Sequence, residues 1–325
     1  MKLPRRQFLY LAAGAAALPA MSRVAPALDY PTRPVRIIVG FPPGGPADVL
    51  ARVIGQWLSE HLGQPFIVEN RPGAGSNIAI ETVVRAPPDG YTLLLITSSA
   101  FTSATVYDKL NVNVVRDIAP VGSIASGAYV MVVNPSMSAK TVPAFIGFAK
   151  ANPGQVTMAS AGIGSVPHVI GEMFKTMAGV KMVHVPYRGD TPALTDLLAG
   201  RVQVYFSTLS TAIALIRAGK LRALAVTTAA RSEALPGIPT VGEFVAGFEA
   251  SNHWGIGAPR TTPPDIVDKL NREMNAALAD PKVKARLGDL GAIPHGGSPA
   301  DFGKLVVDET GKWAKVIQAA NIKVE

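Results

Sequence analysis

Three segments of the chain place glycines directly before a helical pattern, an arrangement that can bind an anion. They are residues 37–52 (IIVGFPPGGPADVLAR), 67–83 (IVENRPGAGSNIAIETV) and 156–174 (VTMASAGIGSVPHVIGEMF). Glycine permits turns with positive φ, and the first N–H groups of a helix have no partner inside it. Several such junctions in one chain predict an anion-binding cleft.

The third junction also contains side chains that could take part in catalysis. Ser165 and His168 could form a nucleophile and base in an exported hydrolase, although the chain has no G-x-S-x-G elbow. In the other interpretation Ser165 is a helix N-cap whose hydroxyl and neighbouring N–H groups face a carboxylate. His168 then lies on the first helical turn, as a hydrogen-bond donor, an orienting group or a structural histidine.

A further strand-to-helix junction is predicted at residues 185–193 (VPYRGDTPA). Arg188 could clamp a carboxylate or form a surface ion pair. Asp190 fits a helix N-cap better than a general base. Asp48 and Asp89 likewise occupy positions where turns and caps favour aspartate.

The sequence lacks the common signatures of cofactor and metal sites. The glycines give neither a complete G-x-G-x-x-G nor a P-loop, and the 5 histidines show no metal-ligand spacing. With 0 cysteines, disulfides, thiolate ligands and a cysteine nucleophile are excluded. We therefore expect no cofactor, no metal and no catalytic residues.

The elements that must position these junctions alternate between strand and helix. Predicted strands cover residues 35–39, 66–68, 91–96, 129–133, 156–159, 182–185, 202–206 and 221–226. Predicted helices cover 47–62, 78–86, 142–151, 166–178, 191–198 and 211–218, and three more open at Pro264, Pro281 and Pro299. This alternation predicts parallel sheets covered by helices, with ligands beyond the carboxyl ends of strands.

Two stretches with little regular pattern, 120–128 and 247–253, flank a self-contained α/β segment. We therefore predict a domain at 126–250 inserted into a domain made of 30–125 and 251–325. The chain would cross twice between the two lobes and so form a hinge.

Residues 1–27 resemble an export signal, with a basic start, an uncharged stretch and an A-x-A cleavage site ending at Ala27. Arg5 and Arg6 suggest the twin-arginine route, and an ordinary Sec signal is the alternative. Removing the segment halves the formal net charge of +8. The remaining charge forms no basic run with aromatic residues, so we expect a periplasmic protein that does not bind nucleic acid.

Several motifs together resemble one family. They include YPTRPVRIIVGFPPGGPADVLAR, VENRPGAGSNIA, PDGYTLLL, ASAGIGSVPH, VPYRGDTPALTDLLAGRV, GIPTVGE and WGIGAPRTTPPDIVDKLN, in order from Tyr30 to Glu325. They are similar to the Bug-type substrate-binding proteins of tripartite tricarboxylate transporters. The resemblance implies a type II periplasmic binding fold: two doubly wound α/β lobes that close by a two-crossing hinge on a small carboxylate.

The same resemblance implies partners and a site. The partners would be the large and small permease subunits, although a signalling partner and a sensor role would need the same closure; we expect a monomer. In such proteins main-chain N–H groups and waters hold the carboxylate. Carried over, the site comprises Phe41, Gly44, Gly45, Asp48, Ser98, Ser99, Ala100, Ser160, Gly162, Gly164, Ser165, His168, Arg188, Gly189, Asp190, Ser207 and Thr208.

One departure from the family pattern concerns the first loop. Pro46-Ala47 follows the paired glycines, where glycine or alanine and then threonine are common in the family. This removes one N–H group and one hydroxyl from the predicted head-group site.

Overall fold

A computed structural model describes residues 29–107 and 110–323. The predicted export signal at 1–27, with its cleavage site, lies outside these residues. No helix among the described residues combines the length and the apolar character that crossing a membrane requires.

The strands form one mixed sheet. In chain order they are β1 (Val35–Val39), β2 (Phe66–Asn70), β3 (Thr92–Thr97), β4 (Ile118–Val133), β5 (Val156–Ser160), β6 (Met182–Pro186), β7 (Val204–Thr208), β8 (Arg222–Val226), β9 (Ser251–Pro259) and β10 (Ala292–Pro294). The spatial order is β2-β1-β3-β9-β4-β7-β5-β6, and β8 and β10 both pair with β4.

Parallel pairing is confined to the two ends of this sheet. β1 lies between β2 and β3, and β5 lies between β6 and β7, all in parallel. The strands β4 and β9 join these groups through antiparallel pairs, and β10 adds to β4, also antiparallel. The predicted parallel pairing is therefore present in both groups, and the sheet as a whole is mixed because the linking strands run in the opposite direction.

The prediction that residues 120–128 lack regular structure was wrong. They belong to β4, a strand of 16 residues. Small residues weaken the strand pattern here, yet the packing requires them: a Cβ atom on Gly127 would lie 2.8 Å from the Trp254 ring. Close approach of this aromatic side chain explains why a strand contains so few β-branched residues at this point.

The helices are α1 (Pro46–Leu62), α2 (Asn77–Val84), α3 (Ser98–Val106), α4 (Val114–Asp117), α5 (Val142–Ala151), α6 (Val166–Ala178), α7 (Asp190–Leu198), α8 (Leu209–Arg217), α9 (Pro264–Ala279), α10 (Pro281–Asp289) and α11 (Pro299–Ala319). Two 3₁₀ turns occur at Ala74–Ser76 and Val241–Glu243. The three predicted C-terminal helices begin at the three predicted prolines. Proline suits a first turn because its missing N–H would have no partner there.

Helix ends show why the sequence folds locally as it does. Asp280 accepts hydrogen bonds from the Lys282 and Val283 N–H groups at the start of α10. Ser298 and Asp301 form a reciprocal capping box at the start of α11. α1 ends at Gly63, whose φ of 75° is one that glycine adopts without strain.

β4 changes neighbours in its course. Residues 118–128 pair with β9, and residues 129–133 pair with β7. At this point the buried Thr227 hydroxyl bonds to the main chain of Tyr129 and donates to the Ala250 carbonyl. These contacts lie beside both predicted domain boundaries, 125/126 and 250/251. The division into two domains stays a prediction.

Candidate functional site

The first glycine junction, between β1 and α1, is folded around the Asp48 side chain. One carboxylate oxygen accepts the Gly44 N–H at 2.9 Å and the Arg52 Nε at 2.9 Å. The other accepts the Asn70 amide and the Arg52 Nη2, both at 2.9 Å. Asn70 also donates to the Phe41 carbonyl. Asp48 therefore shapes this loop, and its carboxylate is fully used within the protein.

The charge of Asp48 is stabilised although the residue is only 3% exposed. Burial by itself would raise the pKa of this carboxyl group. Hydrogen bonds from Arg52, the Gly44 N–H and Asn70 outweigh burial and lower the pKa below its usual value of 3.8. The loop is thus held by an ionised aspartate at neutral pH.

The second glycine loop carries polar side chains that sequence reasoning left out of the site. The Ser76 hydroxyl and both amide atoms of Asn77 are buried without hydrogen-bond partners in the structure. The Thr97 hydroxyl, at the end of β3, is also buried without a hydrogen-bond partner. Buried polar atoms normally have a partner, so these positions suit a ligand or ordered water. Ser76 and Asn77 lie in a glycine loop that the sequence had already marked as an anion site. Their polar side chains were the signal that could have added them to the predicted site.

These side chains lie at one edge of the sheet. Val39 of β1 pairs with Leu95 of β3, so both parallel strands end at this edge. A Cβ atom on Gly40, just after β1, would lie 2.6 Å from the Ser76 Cβ. The 3₁₀ turn that contains Ser76 packs against α3.

The third glycine loop, between β5 and α6, is held by side chains. The Gly162 N–H donates to the Ser160 hydroxyl at 3.1 Å, and the Gly164 N–H donates to His168 Nδ1 at 3.1 Å. Ser165 is the N-cap residue of α6 but makes no capping bond. Its hydroxyl instead donates to the Gly162 carbonyl at 2.7 Å. Ser165 is thus the N-cap residue that the sequence predicts, but its hydroxyl bonds within the loop.

The histidines of this region do not form the predicted pair with Ser165. His168 accepts from Gly164, and its ring stacks on that of His184 with centroids 3.7 Å apart. The serine that bonds to a histidine is Ser160, whose Oγ lies 2.6 Å from His184 Nε2. Ser160 is fully buried. Burial first, and then the neighbouring His168 ring, lower the pKa of His184 to about 4, which makes it a weak base.

The fourth junction, between β6 and α7, is joined to the third. The Gly189 N–H donates to the Ala161 carbonyl at 3.2 Å. Asp190 is the first residue of α7, with Gly189 as the N-cap, so its predicted capping role was wrong by one position. Its carboxylate accepts a hydrogen bond from the Tyr205 hydroxyl, and burial raises its pKa. Arg188 is exposed and has no ion pair within the described residues.

Two further predicted site segments lie at strand ends. Ser98, Ser99 and Ala100 directly follow β3 and form the first turn of α3, and the Ser98 hydroxyl accepts the His253 N–H at 2.9 Å. Ser207 and Thr208 are the last residues of β7 rather than residues after it.

The structure brings several predicted residues together at strand ends. β7, β5 and β6 are neighbouring parallel strands, so the residues at 160–168, 188–190 and 207–208 share one edge. The residues at 41–48 and 98–100 follow β1 and β3, whose carboxyl ends share a second edge. The two groups of residues meet where Gly164 packs against Val106 at the end of α3. The approach is so close that a Cβ atom on Gly164 would lie 2.4 Å from Val106 Cγ1.

Free main-chain donors lie at the helix starts, whereas four of the five predicted site glycines use their N–H groups within the protein. Gly44, Gly162, Gly164 and Gly189 all donate within the protein. Within the part of the chain that the structure describes, the N–H groups of Ala47 and Asp48 in α1 have no acceptor. Neither do those of Val166 and His168 in α6. These groups are suitable donors to an anion.

Other kinds of site find less support. Residues 29–107 and 110–323 contain no cluster of three or more histidine, cysteine or acidic residues able to hold a metal ion. Two surface depressions, of about 370 and 280 Å³, contain none of the predicted site residues. The first is lined by residues near Thr240 and the second by residues near Arg260, so the predicted anion site is separate from both.

Comparison with known proteins gives a consistent picture. Residues 50–322 match the family described as tripartite tricarboxylate transporter family receptor. Protein BugT of Bordetella pertussis is 36% identical over 299 residues, which are 91% of this chain and 92% of that protein. A UPF0065 protein of Pseudomonas sp. strain P51 is 37% identical over 94% of this chain and 92% of its own length.

Solved structures with the same fold include carboxylate complexes. An R. palustris protein with adipate superposes with a TM-score of 0.84 at 38% identity, over 91% of this chain and all of that one. MatC from Rhodopseudomonas palustris with bound malate superposes with a TM-score of 0.79 at 30% identity, over 89% of this chain and 100% of that one. The periplasmic binding protein BugD superposes with a TM-score of 0.80 at 33% identity, over 91% of this chain and 100% of that one. The predicted α/β periplasmic binding fold is confirmed.

Proposed function

The chain belongs to the tripartite tricarboxylate transporter receptor family, and from this premise we propose that it captures a small organic carboxylate for a membrane transporter. The family consists of periplasmic solute-binding receptors and not of enzymes. The ligand class, the transporter partnership and the site residues are the parts of the proposal that need testing.

The observation that carries the proposal is the set of unpaired main-chain donors at the starts of α1 and α6. Each helix start adds about half a positive charge, worth roughly 0.3–1 kcal/mol for an anion and about 2 when partly buried. Two helix starts with charge-assisted hydrogen bonds are enough for binding in the micromolar range, about −8 kcal/mol. Neither helix start supplies a positively charged side chain, so recognition rests mainly on N–H groups.

The ligand site in this proposal contains the seventeen residues predicted from the sequence, in two roles. The residues at 41–48 and 160–168 present main-chain donors, and Asp48 and His168 hold the loops. Ser76, Asn77 and Thr97 are added because their buried polar atoms need partners. Arg188 is retained because it is exposed beside the site and forms no ion pair in the described residues.

The remaining parts of the proposal concern the whole chain. The lobes are residues 30–125 with 251–325, and residues 126–250, and the ligand closes them. The protein works as a monomer in the periplasm after cleavage near Ala27, with a large and a small permease subunit as partners. Relatives with adipate and malate support a carboxylate as ligand.

The test is a thermal-shift screen of the purified protein against mono-, di- and tricarboxylates, each with its neutral amide as a control. A ligand at about 100 times its Kd adds about 2.7 kcal/mol of stability, which is a shift of several degrees. We expect a carboxylate to raise Tm and its amide to leave Tm unchanged. Equal shifts by acid and amide, or product formation during incubation, would refute an anion receptor.

A variant tests the donors at the helix start. Ala47→Pro removes one unpaired N–H from α1 at a position where proline is tolerated in the first turn. We expect weaker carboxylate binding by calorimetry with little loss of Tm. Val49→Pro is the control, because the Val49 N–H is bonded to the Gly45 carbonyl, so this change should lower Tm.

A further inference from the structure

We propose that His168 and His184 together hold the third glycine loop in its anion-binding shape, and that protonation of His168 releases the loop and weakens carboxylate capture. The inference rests on the proposed function and adds a positioning role and a pH response to it. We call His168, His184 and Ser160 the histidine clamp.

His168 holds one end of the loop through an unprotonated ring nitrogen. The Gly164 N–H donates to His168 Nδ1 at 3.1 Å, so Nδ1 must carry a lone pair. The single ring proton therefore lies on Nε2, which is 3.6 Å from the Glu172 carboxylate. Gly164 has a φ of 75°, a conformation that the hydrogen bond helps to keep in one orientation.

His184 holds the other end. Its ring lies parallel to that of His168, with an interplanar angle of 8°. Its Nε2 is 2.6 Å from the Ser160 hydroxyl, and that hydroxyl bonds to both the N–H and the carbonyl of Gly162 at 3.1 Å. Both glycines of the loop are thus tied to one pair of stacked rings.

A proton on His168 Nδ1 would break this arrangement. Two N–H groups would then face each other across the 3.1 Å that now separates the Gly164 nitrogen from Nδ1, leaving a buried donor unpaired. Burial lowers the pKa of His184 to about 4. The Glu172 carboxylate, 3.6 Å from His168 Nε2, would lie beside a protonated His168 ring.

The charged surroundings of the clamp come mainly from α6 itself. Glu172 pairs with Lys175 at 2.8 Å and lies near His168. Burial would raise the pKa of Glu172, but hydrogen bonds from His168 and Lys175 lower it. The titratable groups on the elements that pack against α6 are His184 on β6 and Tyr205 on β7, while β5 and α3 carry none. On α11 they are Asp301, Lys304, Asp308, Glu309, Lys312 and Lys315.

The held loop is also the point of contact with α3. Gly164 approaches Val106 so closely that a Cβ atom would lie 2.4 Å from a valine methyl carbon. Val106 belongs to one predicted lobe and Gly164 to the other. A change in the loop would therefore alter both the donors at the start of α6 and the fit of the two lobes.

The experiment compares His168→Asn with His168→Leu, two side chains of nearly equal shape. Asparagine can present an oxygen near the position of Nδ1, whereas leucine cannot accept. The first readout needs no ligand: amide hydrogen exchange of Gly164, followed by NMR from about pH 7.5 to about pH 5.5. Because intrinsic amide exchange itself slows in acid, the quantity compared is the protection factor of Gly164, the ratio of the unstructured exchange rate to the observed rate at the same pH. We expect a lower protection factor in the leucine variant and, at the acid end, in the wild type, with the asparagine variant protected throughout.

The second readout is the Kd for adipate and malate, measured by calorimetry. We expect the leucine variant to weaken binding about tenfold and the asparagine variant to restore most of it. The affinity of the wild type should fall more steeply in acid than the affinity of the asparagine variant. Ligand protonation affects both proteins equally, so the asparagine variant serves as the control for it.

The two readouts separate the two proposals. Equal Gly164 protection factors in both variants and at both pH values overturn the clamp, whatever the ligand. Normal clamp behaviour in the exchange experiment, with no binding of any carboxylate, would refute the proposed function and leave the positioning role of His168 intact. Equal pH dependence of Kd in wild type and asparagine variant overturns the pH response.

Discussion

At the residue scale, aspartate in a glycine loop illustrates how composition can suggest the wrong role. Asp48 lies in a predicted anion site, and a carboxylate there would repel the ligand if it were free. The structure pairs it with Arg52, Asn70 and a loop N–H, so its charge is compensated. A local pattern could place this residue near the site, but only the fold shows which atoms it binds.

Asp48→Asn should therefore destabilise the protein. An amide in place of the carboxylate would lose the ion pair and set its NH₂ against donors, at a cost of about 2 kcal/mol. Urea unfolding at pH 7 measures this. Arg85→Met is the control: the Arg85–Glu81 ion pair is exposed on both sides, so its loss should cost under about 1 kcal/mol.

Because the pKa of Asp48 is lowered in the folded protein, its contribution to folding stability depends on pH. Its contribution is present above the unfolded value of 3.8 and is lost as pH falls through the lower folded value. The difference in stability between wild type and Asp48→Asn should thus shrink in strong acid. A constant difference down to about pH 2 would show that the carboxylate charge is not responsible.

A second prediction concerns His253, whose Nδ1 is buried without a partner. Burial first, and then the charges of His295 and Lys312, lower its pKa from 6.5 to about 4. The unfolded chain takes up this proton at higher pH than the folded one, so stability falls between about pH 6.5 and 4. In urea unfolding experiments, we expect the loss of unfolding free energy over this pH range to be about 2 kcal/mol smaller in His253→Gln than in the wild type. His61→Gln, the same substitution at an exposed histidine, serves as the matched control.

At the element scale, strands and helices with strong patterns were predicted well. The strand at 35–39 and the helices at 142–151 and 166–178 have the predicted limits. The failures share a physical cause: residues 120–128 and 98–106 are rich in glycine, alanine, serine and threonine. Such residues give little hydrophobic periodicity, and tertiary packing decides their conformation.

The contact between the third glycine loop and α3 can be tested at this scale. Gly164→Ala adds a methyl group at positive φ and against Val106. We expect it to lower Tm more than Gly179→Ala, where φ is also positive but no atom lies within 4 Å of the added carbon. Combining Gly164→Ala with Val106→Ala should recover part of the loss. No recovery in the double-mutant cycle would mean that backbone strain alone is the cause.

At the scale of the whole molecule, the sequence predicted the class of fold but not how the site is supplied with donors. The glycines marked the loops correctly, yet four of them use their N–H groups internally. These N–H groups donate to Asp48, Ser160, His168 and Ala161. The unpaired donors belong to the following helix turns. A sequence shows where a backbone can turn, whereas hydrogen-bond partners depend on side chains far apart in the chain.

The last prediction tests the two proposed lobes by measuring distances. Because the chain has 0 cysteines, spin labels can be attached at chosen positions without altering native residues of that type. Glu60 and Lys181 are exposed and lie in different predicted lobes, whereas Glu60 and the exposed Asp268 lie in the same one, where α1 packs against α9.

We expect the carboxylate that raises Tm most to change the distance between labels at Glu60→Cys and Lys181→Cys. The distance between labels at Glu60→Cys and Asp268→Cys should stay the same, because both belong to one rigid group. Pulsed electron spin resonance with and without ligand measures both. If both distances change, the lobe boundaries are wrong. If ligand binds and neither changes, capture occurs without closure, and the strand crossings at Tyr129 and Thr227 are not a hinge.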